Sequence, residues 1–388
     1  MNKNHARFLS GLFCCSLALG FSANALSDDK TFSEVENRPL AQKPVLNADS
    51  FQIGLLNGGK SGNVMTGKYM ADYETYVTDQ FVGRDMWVAL KSMSERITGK
   101  QENNGVYFGA QDTLITRFDA PDADRVSKNI SFVQKFAEKA GVPVYFGLVP
   151  GAATVWSDRL PAGAPNYDQK QVIDQAAASG LPFVDFYAPL MAHKDEDIYY
   201  RTDHHWTSLG AYYGYTAVAE ALGFEPVSLD AYTKTTVSTE FYGTVFSSSG
   251  VRWVKPDVID TYVPEDGITV AEHTYENGKP VEKARELYVE SYLDKKDKYS
   301  MFLGGQQPLG VVKTPNTDKP KLLLIRDSYS DSLVPFLTPH FSEIHLIDLR
   351  YYKMSPSQYI ADNGIDTAMV LYSVPNFTSD TGLIFMTK

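Results

Sequence analysis

The chain has 388 residues, of which 43% are hydrophobic, 21% charged and 13% aromatic, and these proportions exclude a disordered or collagen-like chain. The formal net charge is −11 and the sequence has no basic tract, which argues against a nucleic-acid partner held through its phosphates. The length allows one large domain or two smaller ones.

The N-terminus has the order of segments found in an export signal. Lys3 and Arg7 precede an apolar run at 8–21, and Ala23-Asn24-Ala25 supplies the small residues that a signal peptidase requires. We therefore predict that residues 1–25 are a cleaved signal peptide. An uncleaved anchor is the alternative, although a run of about 14 residues is short for a bilayer span. Both cysteines of the sequence lie in this segment, so the mature chain would have neither a disulfide nor a catalytic thiol.

The segments after the signal alternate between predicted helices and strands. Residues 26–105 combine a polar lead-in with one or two helices between 67 and 98, and we expect them to pack on the core. From residue 106 onward the predicted strands are 106–109, 144–149, 183–186, 322–325, 344–349 and 368–372, and the predicted helices are 122–140, 173–178, 207–222 and 331–338. Continuous apolar strands separated by helices imply a parallel sheet covered on both faces.

Residues 224–320 interrupt this alternation. Short runs of Val, Tyr and Thr are separated there by turn residues such as Asp266-Gly267 and Asn277-Gly278, a pattern that predicts hairpins. We expect a β-rich insertion at about 224–320 within a catalytic domain that spans 106–388. The predicted fold class is therefore α/β.

Two short segments carry the residue types needed for nucleophilic catalysis. Asp203 and His205 precede a predicted helix, and alternate residues of an extended loop point to the same side. An Asp in that position can orient the imidazole of the His. Ser328 directly follows a buried strand and precedes a helix, whose amides can stabilise an oxyanion. Because a serine needs a base in contact, His205 is the predicted base.

Each of these segments has a simpler explanation when taken alone. A strand followed by Asp-Ser and a helix is often only a helix cap, and Asp203 with His205 could be a structural pair. A metal site is a third alternative, but the sequence has no HExxH motif and no cysteine ligands after the signal. The occurrence of both segments on one α/β pattern favours a hydrolase-type site without a metal or cofactor.

The segment Thr202-Asp203-His204-His205-Trp206 resembles the motif after which the DHHW proteins are named. Asp327-Ser328-Tyr329 follows in the matching order. Further similarity lies in Tyr299-Ser300-x-Phe302-Leu303-Gly304-Gly305 and in Ile347-Asp348-Leu349-Arg350-Tyr351. These proteins are similar to the alginate O-acetyltransferases of the AlgX/AlgJ type, within the SGNH/GDSL hydrolase-like superfamily. The resemblance covers most of the chain after the signal.

The resemblance implies a circularly permuted, three-layer SGNH-hydrolase-like α/β fold with a mostly parallel sheet, in which the Asp and His precede the Ser. By motif match, Ser328 is the nucleophile, His205 the base and Asp203 the acid that orients it. The candidate oxyanion donors are Ser328, Gly304, Gly305, Arg350 and Asn376, and the supporting residues are Asp327, Tyr329, His204 and Trp206. The chain departs from the family at Arg326, where a Gly is usual, and its Asp-to-His spacing is one residue shorter than in ordinary SGNH enzymes.

The function implied by the resemblance is that of an exported, serine-dependent O-acetyltransferase acting on a cell-surface or extracellular polysaccharide through an acyl-enzyme. The resemblance also implies a membrane-bound O-acyltransferase as the acetyl donor, and a relayed acetyl group suits an exported protein, which has no ready supply of acetyl-CoA. A carbohydrate acetylesterase with the same triad is one alternative. A non-catalytic polysaccharide-binding or scaffold protein is the other. No nucleic-acid partner is expected.

Overall fold

The computed structural model describes residues 3–54, 60–264, 266–276 and 279–388. The chain divides into two compact units by the contacts within it. The first consists of residues 1–100 with 250–252, and the second of residues 101–249 with 253–388.

The first unit is mainly helical. It contains α1 (Lys3–Leu26), the paired strands β1 (Phe32–Ser33) and β2 (Arg38–Pro39), α2 (Lys68–Asp79) and α3 (Arg84–Ile97). The segment predicted as one or two helices therefore forms two. Gly83 separates them with a φ of 71°, a left-handed conformation that favours glycine and turns the chain.

Helix α1 is the one helix in the described part of the chain that is long and apolar enough to cross a membrane. It has 24 residues and none of them is buried. It is longer than the apolar run in the sequence because it continues at both ends into polar and small residues. Its length and composition fit a signal sequence and an uncleaved anchor alike.

The second unit contains the elements that position the candidate site. Its strands are β3 (Glu102–Asn103), β4 (Val106–Gly109), β5 (Thr113–Thr116), β6 (Val144–Val149), β7 (Phe183–Val184), β8 (Thr233–Phe241), β9 (Asp257–Val263), β10 (Thr269–Glu276), β11 (Lys279–Arg285), β12 (Leu309–Lys313), β13 (Lys321–Arg326), β14 (Glu343–Ile347) and β15 (Thr367–Ser373). Its helices are α4 (Ala123–Ala140), α5 (Ala152–Val155), α6 (Lys170–Ala177), α7 (Tyr187–Ala192), α8 (Ser208–Leu222), α9 (Thr244–Ser249), α10 (Val334–Leu337), α11 (Pro356–Asn363) and α12 (Val374–Ser379).

An eight-stranded sheet lies at the centre of this unit, as far as the described residues show, in the order β11-β10-β12-β14-β13-β15-β6-β7. The strands from β14 to β7 in that order pair in parallel, and β12, β10 and β11 pair antiparallel. The parallel strands are those that the apolar runs predict. They are buried on both faces, which is why their sequences are continuously apolar.

The segment at 224–320 is rich in strands, as predicted, and the structure shows where they go. Strands β10, β11 and β12 extend the central sheet, since β12 pairs with β14 over five residues. Strands β8 and β9 form a separate two-stranded sheet. Of the two predicted turns, Asp266-Gly267 precedes β10 with Gly267 at a φ of 89°, whereas Asn277-Gly278 lies outside the described residues.

The central sheet separates two apolar cores. Leu322 and Leu324 of β13 pack in one core with residues of α8 and α10, and Leu323 and Ile325 pack in the other with residues of α4, α6, α11 and α12. Successive side chains of a strand point to opposite faces, so each parallel strand supplies both cores. The result is a three-layer α/β arrangement with helices on both faces of the sheet.

Candidate active site

Ser328 lies at the carboxyl end of the buried strand β13. It begins a 3-10 turn over Ser328–Ser332, and the Asp327 side chain caps this turn by accepting a hydrogen bond from the amide of Tyr329 at 3.0 Å. The other carboxylate oxygen of Asp327 accepts hydrogen bonds from the Ser373 hydroxyl and the Asn376 side chain, each at 2.7 Å. The turn is thereby fixed to the end of β15. Because ligands bind at the carboxyl ends of parallel strands, Ser328 is well placed to meet one.

The loop that precedes α8 brings Asp203 and His205 to the same edge of the sheet. His205 Nε2 lies 2.7 Å from Ser328 Oγ, and His205 Nδ1 lies 2.6 Å from Asp203 Oδ1. The His205 amide donates a second hydrogen bond to that oxygen at 3.0 Å. A hydrogen-bonded chain thus connects a carboxylate, an imidazole and a hydroxyl in the geometry of an orienting acid, a base and a nucleophile.

Asp203 is only 3% exposed, and neighbouring groups pack closely around its carboxylate. The Thr244 amide and hydroxyl donate hydrogen bonds to Asp203 Oδ2 at 2.7 and 3.0 Å. Gly243 approaches so closely that a Cβ there would lie 2.3 Å from the Asp203 side chain. Burial alone would raise the pKa of Asp203, but the neighbouring His204 and His205 and these hydrogen bonds together hold it well below its usual value. Asp203 is therefore a carboxylate at neutral pH.

His204 lies beside the triad and outside its hydrogen-bonded chain. Its Nδ1 lies 2.7 Å from the Thr244 hydroxyl, and its ring centroid is 3.8 Å from that of His205. The side chain of His204 is 41% exposed, and its partial desolvation, followed by the neighbouring His205, lowers its pKa. His204 is therefore neutral at pH 7 and adds no charge beside the base.

Trp206 and Tyr329 bind the two sequence motifs to each other. The fully buried Trp206 donates from Nε1 to the Tyr329 carbonyl at 2.9 Å and to the Ser332 hydroxyl at 3.0 Å. The Tyr329 hydroxyl in turn donates to the His204 carbonyl. Gly214 of α8 admits the Trp206 ring, since a Cβ there would lie 2.6 Å from it. These contacts fix the distance between His205 and Ser328.

A cavity of about 390 Å³ opens beside the triad. Its walls are mainly apolar, with a few polar side chains that converge from the site, as is usual for small-molecule sites. The lining residues that belong to the candidate site or contact it are Asp203, His204, Thr244, Tyr329, Ser373 and Asn376. The other lining residues include Leu114, Phe118, Ala152, Ala153, Gln169 and Val245. Of the two motifs, Asp203, His204 and Tyr329 line the cavity, whereas Ser328 and His205 are not among its lining residues.

The candidate oxyanion donors are placed in different surroundings. Ser328 is the first residue of its turn, where an N–H has no carbonyl one turn earlier to donate to. Asn376 lines the cavity. The Arg350 guanidinium forms a two-point ion pair with Asp348, with Nη2 and Oδ2 2.6 Å apart, and lies on a smaller cavity of about 260 Å³ that Asn376 also borders.

Gly304 and Gly305 are not part of the cavity wall. Both have left-handed φ angles, of 80° and 84°. The atoms nearest to a Cβ at Gly304 belong to Val289 and Arg285, and those nearest to one at Gly305 belong to Ser300 and Tyr292. The Gly-Gly pair therefore shapes the loop after Leu303, and the structure gives it no contact with the triad.

Asp203, His204 and His205 also have the spacing of a three-ligand metal site. In the described site, however, both oxygens of Asp203 and both ring nitrogens of His205 have hydrogen-bond partners within the protein. A metal ion would have to displace these hydrogen bonds to bind. The donor atoms are thus arranged for a proton relay to Ser328.

The sequence analysis did not assign a role to three residues that contact the candidate site. Thr244 holds Asp203, Ser373 holds Asp327, and Tyr299 stacks on His205. Tyr299 belongs to a motif that the resemblance includes, but nothing local to that motif indicates a contact with His205. Thr244 and Ser373 carry no signal in the sequence, because a single Thr or Ser next to a helix is common.

Arg326 forms a buried ion pair beneath the site. It is 0% exposed, and its Nη1 lies 2.8 Å from Asp331 Oδ1 in the turn that Ser328 begins. Burial raises the pKa of Asp331 to about 7, so this carboxyl can be protonated, whereas the guanidinium keeps its charge. We therefore expect Asp331→Leu to lower the free energy of unfolding by about 3–5 kcal/mol, because it leaves Arg326 buried without its partner. Urea unfolding of the purified variant measures this loss.

The double variant Arg326→Met, Asp331→Leu is the matched control. It removes both charges, and we expect it to recover most of the stability that the single variant loses. Equal losses in the single and double variants would contradict the ion pair as the cause.

Comparison with known proteins shows what this chain is similar to. Residues 179–347 match the family model described as DHHW protein. A relative, the probable alginate O-acetylase AlgJ of Pseudomonas syringae pv. tomato, is 31% identical over 167 residues. That match covers 38% of this chain and 41% of the relative, so the chain spans about two fifths of the curated protein.

Two solved structures extend the similarity beyond the matched segment. A DHHW family protein from Eubacterium siraeum is 28% identical, with a TM-score of 0.64 over 73% of this chain and 95% of the other. Bacillus cereus PatB1, solved with a sulfonyl adduct, is 20% identical, with a TM-score of 0.60 over 73% of this chain and 98% of the other. The chain therefore resembles the DHHW proteins, and it shares with these two structures an α/β fold of the class that the sequence predicts.

Proposed function

We propose that this DHHW-like chain is an exported, serine-dependent O-acetyltransferase that acts on a cell-surface or extracellular polysaccharide. The observation that carries the proposal is the hydrogen-bonded chain from Asp203 through His205 to Ser328 at the edge of a cavity. The acetyl group and the polysaccharide are suggested by the curated relatives, which are named as probable alginate O-acetylases. We propose a glycan as the class of acceptor for this chain.

The first half of the reaction forms an acetyl-enzyme. Ser328 Oγ attacks the carbonyl carbon of the acetyl donor while His205 Nε2, 2.7 Å away, takes the hydroxyl proton. The resulting oxyanion is stabilised by the Ser328 amide and by the second N–H of the Asn376 side chain, whose first N–H donates to Asp327. Collapse of this intermediate breaks the bond to the leaving group, which takes its proton from His205.

The second half transfers the acetyl group. A sugar hydroxyl in the cavity attacks the acetyl-Ser328 carbonyl, and His205 takes its proton before returning one to Ser328 Oγ. Asp203, held as a carboxylate by its neighbours, stabilises the imidazolium in both halves. Water in place of the sugar hydroxyl would give hydrolysis, so the exclusion of water distinguishes a transferase from an esterase.

The proposed export is supported by the N-terminal helix, and the proposed acetyl donor by the family resemblance. Helix α1 has the composition of a signal sequence, and a protein acting outside the cytoplasm has no acetyl-CoA of its own. We therefore propose that a membrane-bound O-acyltransferase supplies the acetyl group. N-terminal sequencing of the protein recovered from outside the cytoplasm is expected to begin at Leu26.

The proposed activity predicts a covalent acetyl-enzyme and an acetylated glycan. We expect the purified protein, incubated with an aryl acetyl ester, to carry one acetyl group on the peptide that contains Ser328, as detected by mass spectrometry. Addition of an oligosaccharide acceptor should then produce acetylated oligosaccharide. Release of acetate alone, at a rate that does not depend on the acceptor, would favour the acetylesterase. Absence of both acetyl-enzyme and acetate, with retained glycan binding, would contradict catalysis and favour the binding protein.

A further inference from the structure

A tyrosine outside both sequence motifs lies flat against the proposed base. The ring centroids of Tyr299 and His205 are 3.7 Å apart and their planes differ by 8°. Tyr299 is 4% exposed, so the contact is closed to solvent. One face of the imidazole is thus covered, and its edge is held by Asp203 and Ser328.

The same tyrosine also holds the backbone of the proposed nucleophile. Its hydroxyl donates to the Ser328 carbonyl at 3.0 Å and lies 3.1 Å from the Ser332 hydroxyl. Burial raises the pKa of Tyr299 well above its usual value, so the hydroxyl keeps its proton and can donate. One side chain therefore contacts both the base and the turn that carries the nucleophile.

Tyr299 is presented by the strand-rich segment. It lies in a short 3-10 turn, Lys298–Met301, and packs with Tyr200, Phe241 and Phe302 in a small buried cluster. This packing gives the ring one orientation. The segment thus contributes to the site as well as to the sheet.

The charges around His205 come from several elements. Asp203 contacts it directly, His204 and Tyr329 lie at ring distances of 3.8 and 5.1 Å, and the buried Asp331, paired with Arg326, interacts with it electrostatically. Asp203 stabilises the positive imidazolium at its edge. An aromatic face within about 6 Å also attracts a cation, and the Tyr299 ring provides that face.

We propose that Tyr299 is a positioning residue for the acyl-transfer reaction: its ring fixes the plane of His205 and stabilises the imidazolium, and its hydroxyl fixes the Ser328 turn. The inference rests on the proposed function of the same site. The ring stabilises His205 most in the two transition states, because His205 then carries the proton taken from Ser328 or from the acceptor.

Two substitutions separate the ring from the hydroxyl. Tyr299→Phe keeps the ring, and we expect kcat/KM for an aryl acetyl ester to fall by about 2- to 10-fold through the lost hydrogen bond. Tyr299→Leu removes both, and we expect a fall of about 10- to 100-fold. The acid limb of the kcat/KM profile against pH should move to lower pH in Tyr299→Leu and stay in place in Tyr299→Phe, because only the ring attracts the imidazolium.

Tyr215→Leu is the matched control, since Tyr215 is fully buried in the same unit and its ring contacts lie with Tyr212, Phe224, Phe336 and His340. It should leave the pH profile unchanged even if it lowers stability.

A folded Tyr299→Leu variant with an unchanged pH profile and kcat/KM within twofold of the wild type would overturn the proposal. If Tyr299→Leu does not fold, Tyr299→Phe with wild-type kcat/KM overturns the part played by the hydroxyl. If the wild type has no acyl-transfer activity, the proposed function fails separately, and NMR titration of the His205 ring in wild type and Tyr299→Leu still tests the stacking through its midpoint.

Discussion

Replacement of Ser328 by Ala is expected to abolish the acetyl-enzyme and to lower kcat/KM for acetyl esters by about 10⁴- to 10⁶-fold, since residues of a triad act as a unit. Among the described residues, the Ser328 hydroxyl has one hydrogen-bond partner, His205 Nε2 at 2.7 Å. The turn itself is held by Asp327 and by backbone groups, which the substitution leaves in place. The fold should therefore be unchanged. Ester turnover and intact-protein mass spectrometry measure the effect, and circular dichroism checks the fold.

Ser330 supplies the matched control for this substitution. It lies in the same turn, is fully buried, and its hydroxyl donates to the Asp327 carbonyl at 3.0 Å. We expect Ser330→Ala to form the acetyl-enzyme and to keep kcat/KM within about tenfold of wild type, because it loses one neutral hydrogen bond. An acetyl-enzyme in Ser328→Ala would show that another residue is the nucleophile.

Replacement of Asp203 by Asn is expected to lower kcat by about 10⁴-fold, the size of effect seen when the orienting carboxylate of such a triad becomes an amide. The two oxygens of Asp203 accept four hydrogen bonds, two from His205 and two from Thr244. An amide nitrogen facing His205 would make Nδ1 of His205 a hydrogen-bond acceptor. The ring proton would then lie on Nε2, which faces Ser328. An amide nitrogen facing Thr244 would oppose its N–H. Steady-state kinetics with an aryl acetyl ester measure the loss.

Asp203→Asn is also expected to change how the free energy of unfolding depends on pH. The pKa of Asp203 is lower in the folded protein than in the unfolded chain, where it is about 4. The Asp203 carboxylate therefore stabilises the fold above about pH 4, and this stabilisation is lost as the pH falls towards the pKa of the folded protein. Urea unfolding should therefore show wild type more stable than Asp203→Asn at pH 7, with a smaller difference at pH 3. Asp119, whose side chain is 73% exposed, is the control, and Asp119→Asn should change little at either pH. A difference for Asp203→Asn that does not change with pH would contradict the lowered pKa.

The sequence is sufficient to predict the parallel half of the fold. Runs such as 322–325 and 368–372 are apolar at every position, and a strand can be so only when both faces are buried. The helix at 122–140 is equally clear, since Asp122 caps its start and Gly141 ends it in a left-handed conformation. Patterns of this kind depend on residues that are close together in the sequence, so they can be recognised without the tertiary structure.

The sequence also points to the chemical groups of the candidate site. The triad residues lie in two short motifs, each placed by a predicted strand or helix, and the structure brings Asp203, His205 and Ser328 into hydrogen-bond contact. The motifs cannot show what stands around the triad. Gly304 and Gly305 belong to the matching pattern, yet they have loop partners and no place in the cavity wall.

What the sequence alone determined is the α/β class, the apolar N-terminal run and the order in which the candidate residues Asp203, His205 and Ser328 follow one another along the chain. What only the tertiary structure decided is that β10, β11 and β12 extend the central sheet, that Thr244 holds Asp203, and that Tyr299 lies against His205. The reason is physical. Helix and strand periodicity follow from side chains a few residues apart, whereas Tyr299 meets His205 across 94 positions of sequence, and such a contact depends on how the whole core packs.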